Sequence, residues 1–69
     1  MKVKFLKDIT VDVMDPSSGE TDTFDRLMRR NTLIECDEVT PISSGFSNVY
    51  LNDGTVLIDL RNDCFQKMI

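Results

Sequence analysis

The stretch Phe46-Ser47-Asn48-Val49-Tyr50-Leu51-Asn52-Asp53-Gly54-Thr55-Val56-Leu57-Ile58-Asp59-Leu60 sets two alternating apolar runs on either side of Asp53-Gly54. Asp-Gly between such runs meets the requirement of a two-residue type I′ hairpin, whose central residues both take positive φ. That turn predicts the register. Asn52 faces Thr55, Leu51 faces Val56 and Val49 faces Ile58, which gathers four aliphatic side chains on one face. On the other face Tyr50 and Leu57 turn outward together, an exposed apolar pair of the kind that marks a protein contact. A folded-back N-terminal strand would hide the same pair.

Toward the C-terminus, Asn62-Asp63 predicts one tight turn, and Cys64-Phe65-Gln66-Lys67-Met68-Ile69 a closing edge strand, with a short terminal helix as the second option. Toward the N-terminus, Pro41, Ser43, Ser44 and Gly45 predict a loop, and Thr32-Leu33-Ile34-Glu35-Cys36 a strand with Ile34 and Cys36 on one face. Arg29-Arg30-Asn31 reads as a polar turn. Phe24, Leu27 and Met28 fit a short helix capped by Asp22 or Thr23, and fit a strand nearly as well. Asp15 to Asp22, with Pro16, Ser17, Ser18 and Gly19, has turn chemistry and reads as a long acidic loop. Val3 and Phe5, then Ile9, Val11 and Val13, alternate with polar residues at the period of a half-buried strand, with a kink or bulge at Lys7-Asp8.

These elements predict one mainly β domain over residues 1–69, a five-stranded half-open barrel with at most one short helical turn. The order of a long acidic loop, three strands with an Asp-Gly hairpin, a tight turn and a short last strand resembles the Src-homology-3-like barrel. The resemblance is topological. A peptide-binding member of that family uses paired tyrosines, a tryptophan and a proline-tyrosine step, whereas this chain has no Trp and Tyr50 as its one Tyr, so recognition of proline-rich peptides is not implied. The pattern from Lys2 to Val13 and from Val49 to Leu60 also resembles small barrels encoded by bacterial mobile elements.

A chain of 69 residues leaves room for a single core, from which domains of this size gain about 3–5 kcal/mol. Eight Lys and Arg against twelve Asp and Glu give a formal charge of −4, which disfavours a general polyanion-binding surface. Met1 to Lys7 is basic but is followed by Asp8 rather than an apolar core, so it is not read as a signal peptide, and no apolar run reaches the ~20 residues of a membrane span. A cytoplasmic protein is expected. Cys36 and Cys64 lie in apolar stretches without a CxxC spacing and read as buried free thiols.

Catalytic chemistry finds little footing. Histidine is absent, which removes the usual general base and the commonest zinc ligand, and Gly19, Gly45 and Gly54 are isolated in turns rather than forming a phosphate loop. Asp15, Glu20, Asp22 and Asp25 cluster without the spacing of a calcium loop, and Asp63 beside Cys64 reads as a turn residue rather than half of a carboxylate–thiol site. No enzyme, metal or cofactor is expected. Two functions remain: an interaction module that contacts another protein or its own copy through Tyr50 and Leu57, and a nucleic-acid-binding barrel using Lys2, Lys4, Lys7, Arg26, Arg29, Arg30 and Phe46.

Overall fold

The computed structural model of the protein describes residues 1–15 and 23–68. Seven strands are present among them: β1 (Lys2–Phe5), β2 (Ile9–Met14), β3 (Thr23–Met28), β4 (Leu33–Ser43), β5 (Phe46–Leu51), β6 (Val56–Arg61) and β7 (Phe65–Met68). All pairings are antiparallel, in the order β3-β2-β6-β5-β4-β1-β7. The expectation of a mainly β chain with at most one short helical turn is met among the described residues, where the tight turn expected at Asn62-Asp63 is the 3₁₀ turn Asn62–Cys64, but the count of five strands is corrected to seven. Two features account for the difference. The bend at Leu6–Asp8 cuts the first apolar run into two strands that pair with different partners, β1 with β4 and β7, β2 with β3 and β6. The stretch Thr23–Met28 is a strand rather than a short helix, because six consecutive pairs with β2 satisfy its backbone more fully than one isolated helical turn would.

The hairpin forms with a different register from the one its turn residues predict. Leu51 N donates to Thr55 O at 2.9 Å and Gly54 N to Leu51 O at 3.2 Å, which encloses three residues, Asn52, Asp53 and Gly54, rather than two. Gly54 takes φ 93° while Asp53 is not among the positive-φ residues, so the turn is a type I turn followed by a left-handed glycine. Asp53 is held in it by its own side chain, which accepts from Thr55 N at 3.0 Å and Thr55 Oγ1 at 2.6 Å. Tyr50 therefore faces Val56, and Val49 faces Leu57. A one-residue slip exchanges the faces: Leu57 is fully buried and Ile58 only half-buried.

Further along, β6 fits one extra residue against β5, since Ser47 pairs with Leu60 and Val49 with Leu57. Asp59 absorbs the bulge at φ 53°, and its N–H donates to Asn48 Oδ1 at 3.2 Å. The bulge returns Leu60 to the core, at 2% exposure. β4 carries further irregularities between Cys36 and Glu38 and between Pro41 and Ser43. The loop expected from Pro41 to Gly45 is thus reduced to Ser44-Gly45, with Pro41 tolerated because β1 pairs with β4 only over Leu33–Glu35 and leaves that side of the strand open.

These bulges curl the sheet around one apolar row, in which Val13, Leu57, Val49 and Val39 are successive partners across β2, β6, β5 and β4. Val3, Phe5, Val11, Met28, Cys36, Leu60 and Phe65 complete the core, with Ile34 packed against it, as the alternation in the first strand and the shared face of Ile34 and Cys36 anticipate. Buried Ser47 donates its hydroxyl to Asn62 Oδ1 at 2.6 Å, which pins the 3₁₀ turn to β5. The terminal segment is an edge strand on β1, as expected, with Phe5 facing Phe65. Most of the acidic segment Asp15 to Asp22 lies outside the described residues.

Candidate interaction surface

Among the described residues β3 stands at one end of the strand order and pairs only with β2, so none of them is a sheet partner for the backbone N–H and C=O groups of its second edge. In a strand, Phe24 and Leu27 fall on opposite faces. Phe24 and Arg26 share the face of Val13 and Val11, while Asp25 and Leu27 share that of Asp12 and Thr10. Met28 reaches the core at 3% exposure, but Phe24 is 51% and Leu27 52% exposed. The edge thus carries two large apolar side chains that the fold does not use.

Asp12 and Asp25 are direct cross-strand partners, and their row continues to Ile58 on β6, next to Asp59. A hydrogen bond with the Asp25 side chain, then lost hydration and the charges of Asp25 and Asp59, raise the Asp12 carboxyl above its ordinary value of 3.8. Neither Asp12 nor Asp25 takes part in an ion pair among the described residues. Ile58 in this row is half-buried, and the next row on the same face is Tyr50, at 37% exposure, Val56 and half-buried Met14.

The β2–β6 ladder ends at Asp12–Ile58, beyond which the two strands splay apart and leave a cleft of about 310 Å³ floored by Ile9, Val11 and Leu60. Lys7 and Arg61 stand at its rim, but both turn to Asp63, at 4.0 and 3.0 Å. Asp63 in turn accepts from the Cys64 thiol at 3.4 Å, and that hydrogen bond is the main cause of its lowered pKa. Burial, then the Asp63 hydrogen bond and charge, push the Cys64 thiol upward, and burial does the same for Cys36. The two cysteines sit at opposite ends of β1, since Cys36 N bonds to Met1 O and Leu6 N to Cys64 O. At about 3.3 Å per residue the strand holds them roughly 16 Å apart, too far for a disulfide.

The sequence-predicted contact pair is divided: Tyr50 is at the surface, and Leu57 is a core residue directly opposite Val49. Among the basic residues, Lys2 pairs with Glu35 at 3.6 Å across β1 and β4, and Lys4 shares its face of β1. Arg26 is on β3, five strands away from β1 in the sheet order. Asp8 accepts from the backbone N–H of Arg30 at 2.6 Å and lies 4.0 Å from the Arg29 guanidinium, whereas Lys7 pairs with Asp63 at 4.0 Å. Phe46, 38% exposed, faces Arg61 across the β5–β6 pair. Phe24, Leu27 and Asp25 are not joined into a surface with Asp12 by the sequence reading because a helix remained open over Phe24 to Met28. The signal available was that no strand can bury both Phe24 and Leu27 against one core.

No helix among the described residues is long and apolar enough to cross a membrane, and among them no cluster of three metal-ligating side chains forms. No protein-family model, curated protein or solved structure matches the chain.

Proposed function

We propose that this chain is a non-enzymatic protein-interaction module that takes up an extended segment of a partner along the open edge of β3. The exposure of Phe24 and Leu27 on a strand with a free edge carries the reading, since such an edge offers main-chain hydrogen bonds and side-chain contacts together. We read the barrel as Src-homology-3-like: β4, β5 and β6 form the meander, a 3₁₀ turn precedes the closing strand β7, β7 pairs with β1, and the β2–β3 hairpin occupies the place of that family's first loop. The lack of histidine and two thiols kept neutral by burial support a binding rather than a catalytic role. Two buried free cysteines also fit a reducing cytoplasm, in keeping with the resemblance to barrels of bacterial and phage elements.

A photo-crosslinking residue in place of Leu27, with a second placed at Leu33 as control, tests the site in the native cells. Recovery of one identified protein at position 27, lost on Phe24→Lys, is the expected result. Equal recovery at both positions, or none, overturns it.

A second reading, a nucleic-acid-binding barrel, draws on Arg29 and Arg30 at the Asp8 bend, next to Lys7 in the chain. Asp8 and Asp63 sit among those cations and offset them, and the formal charge of −4 opposes polyanion affinity. Salt-sensitive binding of single-stranded RNA or DNA, reduced by Arg29→Ala with Arg30→Ala, would favour this reading over the first.

A further inference from the structure

We infer that the segment added to β3 is an antiparallel strand with an arginine or lysine opposite Asp25 and apolar residues opposite Phe24 and Leu27. The inference rests on the edge-binding reading and names the chemistry of its partner.

A second copy of β3 fits poorly in either central register. Directly opposed residues of an antiparallel pair share a face, so two identical strands related by a two-fold axis must set one residue against itself. On Thr23–Met28 the central choices are Asp25 on Asp25 or Arg26 on Arg26. The first continues the Asp12–Asp25 row into four aligned carboxylates, and the second opposes two guanidinium groups; like charges directly opposite are destabilising. The edge thus guards itself against its own kind while staying open to a complementary strand.

The complement can be derived position by position. A cation opposite Asp25 lies on the face of Asp12 and meets both carboxylates, the pair that no cation neutralises among the described residues. Arg26, on the other face, makes no ion pair among the described residues, although its charge reaches Asp53, and an acidic residue opposite it is favoured. Phe24 and Leu27 flank the two charges and call for apolar partners. Running antiparallel, the order is apolar, acidic, basic, apolar.

The probe is the capped peptide Thr-Val-Glu-Arg-Val-Thr, titrated into the full chain and followed by amide and carboxyl NMR, with Thr-Val-Glu-Glu-Val-Thr as its counterpart. Shifts confined to β2 and β3, affinity about tenfold higher for the arginine peptide, and loss of that preference in Asp25→Asn are expected. The Asp12 carboxyl should also titrate lower in the complex, as the added cation offsets Asp25. Equal affinities, no binding, shifts on another surface or an undiminished preference in Asp25→Asn overturn the inference. If the crosslinker at position 27 still recovers a protein in that case, only the partner chemistry is wrong. If it recovers none, the edge reading falls as well.

Discussion

Asp12 and Asp25 oppose each other directly across β2 and β3, and Asp59 adds its charge from the bulge in β6. The folded state holds the Asp12 proton to a higher pH than the unfolded chain does. This group therefore favours folding below the ordinary carboxylate value of 3.8, and that contribution is lost as pH rises through the raised folded value. Asp25→Asn removes the repulsion, so Tm at pH 7 rises. The gain should fade in strong acid, where the Asp12 carboxyl is protonated in wild type and the repulsion is gone. An unchanged Tm at pH 7 would count against this account.

Asp53 carries the opposite sign. Its hydrogen bonds from the Thr55 hydroxyl and backbone lower its pKa, so its support is present above 3.8 and is lost as pH falls through the lowered value. Asp53→Ala should lower Tm at pH 7 and approach wild type in strong acid. Thermal unfolding followed by circular dichroism at the two pH values reads both variants.

The hairpin register is tested by a pair of truncations. Leu57, fully buried opposite Val49, should lose about 2–5 kcal/mol on replacement by Ala, enough to unfold a domain of this size. Ile58→Ala, at a half-buried position, should cost distinctly less. Urea unfolding compares them directly, and the reverse order would restore the two-residue turn.

Gly54 at φ 93° has nothing within 4 Å of an added Cβ, so Gly54→Ala should cost only the left-handed backbone strain, about 1–2 kcal/mol. The midpoint of urea unfolding should fall while its slope stays constant.

Both thiols should be free and slow to react. Denatured protein should label with a thiol reagent at Cys36 and Cys64 promptly, and native protein at least about tenfold more slowly, because burial hides the sulfurs and disfavours the thiolate. Rapid labelling of the native chain, or a disulfide-linked mass, would contradict the placement of the two cysteines at opposite ends of β1.

Periodicity made much of this fold legible. Val3, Phe5, Val11 and Val13 are core residues because their period-two spacing admits one buried face, and Asn62–Cys64 turns where Asn-Asp chemistry says it should. The register of the second hairpin was not legible. Asp-Gly suits both a two-residue turn and a three-residue turn ending in left-handed Gly54, and the hydrophobic run Val56-Leu57-Ile58 offers an apolar face in either case. The Asp59 bulge, which lets Leu57 and Leu60 both point inward, breaks the alternation on which the sequence reading relied. The candidate surface depended on that same step. With Leu57 inward, the outward pair disappears, and attention passes to Phe24 and Leu27, whose exposure follows from the place of β3 in the strand order.

The pairing of Lys2 with Met68 joins positions that are 66 residues apart in the chain. The β4–β5 and β5–β6 hairpins close over only a few residues, so they can assemble early, whereas the β1–β7 contact must first overcome the entropy of a loop that contains nearly everything else. The β1–β7 pairing therefore carries the greatest loop-closure cost of these contacts and is expected to form late. A covalent tether between the two ends would turn that long loop into a third short hairpin and speed folding.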